Sequence, residues 1–305
     1  MRRIMMIGWL ALVAQPAAAQ VTYEGSFTGL TGYYLFTERT NSLIFTNGLR
    51  WRSGRLSLSV NLPLWYQNTT LVSSSGGGTV PTGGPEAQGE VRDSGQAHGQ
   101  PGGGGGGSGG QAVLHDHARG STAAPRFAQG DIPAPDEAVT GYQLMLGDPL
   151  AQATVSLIRG RVPVSVGAMV KVPLASTATI GTGEWDFGGM VSAFWLTGNR
   201  WTVGLDASYW YLGDLDSLEL ENPLIGTLTV GRLLGTEWAA SLGVSASTGS
   251  LTGFDPPLSV LASLTRLGAP NAWGINAGVG LTETAPAFSL GAVWWIKLGH
   301  ADRGR

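Results

Sequence analysis

Between Arg161 and Asp186 the chain reads RVPVSVGAMVKVPLASTATIGTGEWD, and the first half of this stretch alternates without a break. Val162, Val164, Val166, Ala168, Val170, Val172 and Leu174 fall on one parity, and Pro163, Ser165, Gly167, Met169, Lys171 and Pro173 on the other. Successive side chains of a strand take opposite faces. One face is therefore aliphatic throughout, and the other is small or polar with a single cation. A face turned to bulk water would carry Lys and Glu at higher density. At about 3.3 Å per residue, a strand over Val162–Leu174 tilted at about 45° spans roughly the 30 Å of a hydrocarbon core. An unpaired backbone group in lipid costs several kcal/mol, so strands cross a membrane only in a sheet without edges. The stretch reads as part of a closed transmembrane barrel, with its Val face toward lipid.

The pattern recurs along the chain. Leu56, Leu58, Val60, Leu62, Leu64 and Tyr66 alternate with Ser57, Ser59, Asn61, Pro63, Trp65 and Gln67. Strands are also expected at Tyr23–Phe36, Ser42–Arg52, Tyr142–Ile158, Trp185–Leu196, Trp201–Leu212, Pro223–Leu233, Glu237–Ser247, Leu258–Arg266, Ala272–Thr282 and Phe288–Leu298. The fold class is all-β: a closed antiparallel transmembrane barrel of about twelve strands, an even number as such barrels require. Gly147-Asp148-Pro149 interrupts one strand, and a split there would make the count odd, which favours a single strand. Short connections such as Ser53-Gly54, Gly198-Asn199-Arg200 and Gly235-Thr236 alternate with longer ones such as Ala175–Glu184, Gly213–Asn222 and Thr248–Pro257. Short periplasmic turns and long outer loops give this alternation, with both termini in the periplasm.

Residues 1–19 read as a secretory signal peptide: basic Arg2-Arg3, an apolar run from Ile4 to Val13, and small residues Ala17-Ala18-Ala19 for cleavage. The barrel is expected over residues 20–299, with a C-terminal tail at 300–305. Within it, residues 70–138 lose all periodicity and contain PGGGGGGSGG at Pro101–Gly110. Such a segment buries no core and reads as one long flexible surface loop between the third and fourth strands. The localisation implied is the outer membrane of a Gram-negative bacterium, with lipid and lipopolysaccharide as surroundings.

Aromatic residues sort to strand ends. Trp51, Trp195, Trp201, Trp238, Trp273 and Trp295 lie beside short turns or the chain end, and Tyr33, Tyr34, Trp65, Tyr66, Trp185, Tyr209 and Tyr211 toward the long loops. Two interfacial girdles are expected. Arg52, Arg55, Arg159, Arg161, Arg200, Arg232 and Arg266 lie at short turns, while Asp214, Asp216, Glu219, Glu221, Asp255 and Glu283 lie in longer loops.

The interior candidates follow from parity. Lys171, Asp186 and Asp206 point inward, and Arg50 and Asp148 join them as lumen-lining candidates. Lys171 with Asp186 is the favoured pair, because their strands are adjacent. Such a pair either neutralises charge in a plugged interior or sets the selectivity of a pore. None of the four histidines, His98, His115, His117 and His300, falls in a strand, so the wall offers no positioned base for hydrolysis. No catalytic residue, metal site or cofactor is assigned. With no cysteine, thiol chemistry is excluded, and a net charge of −3 gives no basis for nucleic-acid binding. Charged residues make up only 13%, against about 25% in soluble domains.

Ser289-x-Gly291-x-x-Trp294-x-Ile296 in the last strand is similar to the signal by which the barrel assembly machinery recognises outer-membrane barrels. Further motifs are Leu146-Gly147-Asp148, Gly167-x-x-x-Lys171-x-Pro173, Gly181-x-Gly183 and Asp186. In these the chain resembles a family of outer-membrane barrel transporters of the meta-pathway of phenol degradation, most clearly over Leu146–Trp195. The Gly-Asp that follows Lys-x-Pro in members is absent here. The resemblance implies a barrel passing aromatic or other hydrophobic small molecules. The leading reading is a passive outer-membrane channel. The alternative is a structural barrel with a plugged lumen that displays its long loop, and an embedded hydrolase is disfavoured by the histidines.

Overall fold

A computed structural model describes residues 19–36, 38–69, 71–83, 140–175, 177, 180–213, 220–251, 253–268 and 271–298. All but the last residue of the expected signal peptide, the oligo-Gly tract, all four histidines and the tail lie outside the described residues. The strands are β1 (Gln20–Gly32), β2 (Thr40–Ser53), β3 (Leu56–Thr69), β4 (Val72–Ser75), β5 (Gly78–Pro81), β6 (Thr140–Leu146), β7 (Leu150–Ile158), β8 (Val164–Lys171), β9 (Asp186–Leu196), β10 (Trp201–Tyr211), β11 (Leu224–Leu234), β12 (Trp238–Ser247), β13 (Leu258–Arg266), β14 (Asn271–Gly280) and β15 (Phe288–Leu298).

The wall is a closed antiparallel barrel of twelve staves. Sequence neighbours pair around the ring, and β1 closes it against β15 from Val21 opposite Leu298 to Thr31 opposite Phe288. The fourth stave is made of two pieces: β6 pairs with the second half of β3 and β7 with its first half. Gly147-Asp148-Pro149 separates them, since Pro149 has no N–H to give to the ladder. The expected single strand is therefore split, yet the even stave count holds because both pieces lie along β3. Parity changes across the break. Leu144 and Leu146 point outward before it, Val155 and Leu157 after it. Among the described residues β6 pairs only with β3.

Alternation explains the two faces. Leu58, Val60, Leu62, Leu205, Leu228, Leu242, Val244 and Leu290 are exposed on the outside, a continuous apolar belt far larger than a water-facing surface carries. No helix among the described residues is long and apolar enough to cross a membrane; the strands meet that geometric need. Short turns and long loops fall on opposite ends, as the spacing predicts.

Two further expectations, of a loop and of a strand end, fail. Residues 70–138 do not form one structureless loop. Residues 71–83 carry the β4–β5 hairpin, whose Leu71, Val72 and Val80 are at most 1% exposed. A hairpin inside a barrel gains burial from the surrounding wall, so it needs no apolar face of its own. The strand expected to run to Leu174 ends at Lys171, because the carboxylate of Asp148 takes the N–H groups of Leu174 (2.8 Å) and Ala175 (2.7 Å) away from the ladder.

Three aromatics expected at the interfaces turn inward instead. Trp65 is 4% exposed, Tyr34 1%, and Trp295 lies on the parity opposite the exposed Leu290, Ile296 and Leu298. Trp65 belongs to the polar set of β3, and its size, unlike that of Ser59 or Asn61, closes the interior. Trp185, Tyr66, Tyr209, Tyr211, Trp195, Trp201 and Trp273 are exposed near strand ends.

Candidate functional site

The barrel interior has two unlike halves. At the long-loop end it is filled. The β4–β5 hairpin crosses the lumen from β3, where Gln67 Nε2 donates to the carbonyl of Val72 (3.3 Å), to the far wall, where Gly77 abuts Pro223 and Ile225. The N–H of Ser74 donates to the carbonyl of Ile180 (2.8 Å). At the base of the hairpin, the N–H groups of Thr82 and Gly83 donate to the carbonyl of Leu71 (3.0 and 3.1 Å). Tyr34 reaches the hairpin through Thr79; burial pushes its hydroxyl pKa above the ordinary phenol value, opposed by that hydrogen bond.

Two apolar clusters complete the filling. Val80 packs with Trp210, Leu212, Leu220 and Leu251. Trp65 packs with Met145, Ala175 and Ile180. A cavity of about 160 Å³ remains between the hairpin tip and β11–β13, edged by the hydroxyl residues Ser75, Thr79, Ser245, Ser247, Ser259 and Thr284.

A buried triad lies beside this filling, at the long-loop ends of β8 and β9. Lys171 Nζ stands 3.2 Å from Asp186 Oδ2 and 3.3 Å from Asp148 Oδ2, and donates to Thr182 Oγ1 at 2.5 Å. The three charged side chains are 0–3% exposed. Asp148 Oδ2 has no hydrogen-bonded partner, so its contact with the ammonium is one of charge alone. Each carboxylate also holds backbone. Asp186 accepts the N–H of Gly76 at the hairpin turn (2.7 Å) and of Gly213 after β10 (3.0 Å). Asp148 holds the chain leaving β8 through Leu174 and Ala175. Three connections at the long-loop end thus converge on one cluster. Gly76 is needed at its place: a Cβ there would meet the Trp210 ring at 2.4 Å.

The structure brings Lys171, Asp186 and Asp148 together. Arg50 and Asp206 lie apart from them. Arg50 pairs with Glu24 at 3.1 Å on the interior face near the short turns. Asp206 shares the interior parity of Trp210 on β10, opposite Ser192 and Thr227, and is exposed within the lumen. Sequence reading missed Thr182, Glu24, Gly76, Gly213 and Trp210. Parity on β1 and β10 would have found Glu24 and Trp210. Nothing local marks Gly76 or Gly213, which matter through their N–H groups.

No protein-family model matches the chain, and no curated protein matches it. Solved structures do. The COG4313 outer membrane channel from Pseudomonas putida F1 superposes with a TM-score of 0.58 at 12% identity, over 93% of this chain and 97% of that one. The KdgM porin gives 0.45 at 6% identity over 91% and 99%. The CymD monoaromatic hydrocarbon channel gives 0.43 at 9% identity over 92% and 89%. The first likeness establishes a shared fold, that of an outer-membrane barrel.

Proposed function

We propose that the chain is an outer-membrane channel that passes small molecules passively through the barrel, with the β4–β5 hairpin as an internal plug. The observation that carries this reading is the contrast inside the barrel: a polar, water-exposed short-turn half under a long-loop half sealed by a separable element. A barrel meant only as an anchor has no need of an interior filled by a hairpin from its own loop. Residues 1–19 would direct export, and the last strand, through Gly291, Trp294 and Ile296, would engage the assembly machinery. Trp51, Trp195, Trp201, Trp238 and Trp273 would form the periplasmic girdle, and Tyr33, Tyr66, Trp185, Tyr209 and Tyr211 the outer one. The resemblance to phenol meta-pathway transporters supports small aromatic or hydrophobic cargo. In this reading Lys171, Asp186 and Asp148 secure the plug, and Arg50 and Asp206 line the water-filled part of the path.

The sealed half favours a second reading, a permanently plugged barrel with a structural role and no transport. Liposome swelling separates the two. Proteoliposomes of the full chain should admit small neutral solutes faster than empty vesicles. Entry no faster than the empty-vesicle rate, for the full chain and for a chain without residues 71–83, would sink the channel. Unboiled protein should also migrate differently from boiled protein on a denaturing gel, as closed barrels resist detergent; identical migration would count against closure.

A further inference from the structure

Charge at the short-turn end of the lumen is unbalanced. Thr22 on β1 stands opposite Lys297 of β15 on one side and Arg50 of β2 on the other. Arg52 stands opposite Gln20, two residues further along β2. The exposed Leu49, Ile296 and Leu298 occupy the other parity, so all three cations face the interior. Adjacent strands lie about 4.8 Å apart, which puts the backbones of Lys297 and Arg50 about 10 Å apart across Thr22. Long side chains from both can therefore meet over that small residue.

The cations at this end of the barrel differ in their partners. Several outside the lumen are engaged: Arg232 lies over the Trp201 ring at 5.5 Å, Arg266 meets Glu237 at 3.4 Å, and Arg200 and Arg159 donate to the carbonyls of Gly235 and Gly54. Inside, Glu24 holds Arg50 and fixes its direction. Among the described residues Arg52 and Lys297 enter no ion pair, and both are exposed to the lumen. Trp295 shares the interior parity, opposite Glu24, and is only partly buried. One wall thus offers three cations against one carboxylate, a hydroxyl residue between two of them, and an indole one row above.

We propose that Lys297, Thr22, Arg50 and Arg52 form a binding site for a carboxylate-bearing organic anion at the short-turn end of the lumen, with Trp295 taking its apolar part. The carboxylate lies over Thr22, where the ammonium and guanidinium groups donate charge-assisted hydrogen bonds. Arg52 adds charge from the next position on the same face. The indole supplies a flat apolar surface for the rest of the ligand. The site rests on the proposed channel only in needing a lumen open to water at this end.

Calorimetric titration of the full chain in detergent micelles tests it, with phenylacetate against its neutral relative 2-phenylethanol. Phenylacetate is expected to bind roughly tenfold or more tighter, the scale of one charge-assisted contact, and to weaken as salt rises. Lys297→Gln and Arg52→Gln are each expected to lower its affinity several-fold while keeping the gel shift of the folded barrel. Equal affinity for acid and alcohol in the unaltered protein would overturn the proposal. So would an affinity for phenylacetate that Lys297→Gln leaves unchanged. Binding in micelles without solute entry into liposomes would keep this site and remove the channel; entry without binding would do the reverse.

Discussion

Lys171→Met is expected to lower the stability of the barrel by about 3–5 kcal/mol, the range for removing one partner of a buried ion pair, and to loosen the plug. The substitution keeps the length of the side chain but leaves two carboxylates buried without a counter-charge. Both have obligations to backbone, so neither can turn away. Asp186 must release Gly76 or Gly213 to move, and Asp148 must release Leu174 and Ala175. Relief comes most readily by withdrawing the hairpin, which lets water in. The temperature at which the gel shift is lost should fall, and planar bilayers should show more frequent openings. The double substitution Lys171→Met with Asp186→Asn removes one of the stranded charges and should recover part of the stability. A single variant indistinguishable from the unaltered protein in both gel and bilayer would show that the triad holds nothing.

Deleting residues 71–83 is the larger perturbation for transport. It removes the element that crosses the lumen and exposes the interior faces of Trp210 and Ile180. Because a barrel of twelve staves is narrow, conductance should rise on the order of tenfold, following the freed cross-section. The wall should survive, since its closure rests on the β1–β15 ladder and not on the hairpin. Single-channel recording gives the answer. Unchanged conductance in a barrel that keeps its gel shift would mean that the hairpin blocks no path, or that another segment takes its place.

The wall was legible because one physical rule governs it. A period of two fixes the face of every residue from Val164 to Lys171, and lipid outside makes one face uniformly apolar. The same rule put Lys171 and Asp186 inward on neighbouring strands, where they stand directly opposite. It went unused for Trp65 and Trp295, whose parity is interior although their strand-end positions suit an interface. The hairpin was illegible for another reason. Val72-Ser73-Ser74-Ser75-Gly76-Gly77-Gly78-Thr79-Val80-Pro81 is nearly all small or hydroxyl residues. Its burial is supplied by a polar wall whose side chains satisfy it, as where Gln67 Nε2 donates to the carbonyl of Val72 and Asp186 accepts the N–H of Gly76. Composition that reads as solvated in open sequence is also what fits between two polar faces.

The first strand of the hairpin, β4, begins three residues beyond the last residue of β3, Thr69. Its mooring is therefore the near edge of its own seat, which runs from β3 across the lumen to β11. A segment on so short a leash never dilutes into the surroundings; once withdrawn it faces its own seat at an effective concentration in the millimolar range or above. Reseating is then a first-order event, indifferent to how much protein the membrane holds. Openings should be brief and self-terminating, with lifetimes that do not change as channel density in the membrane is varied.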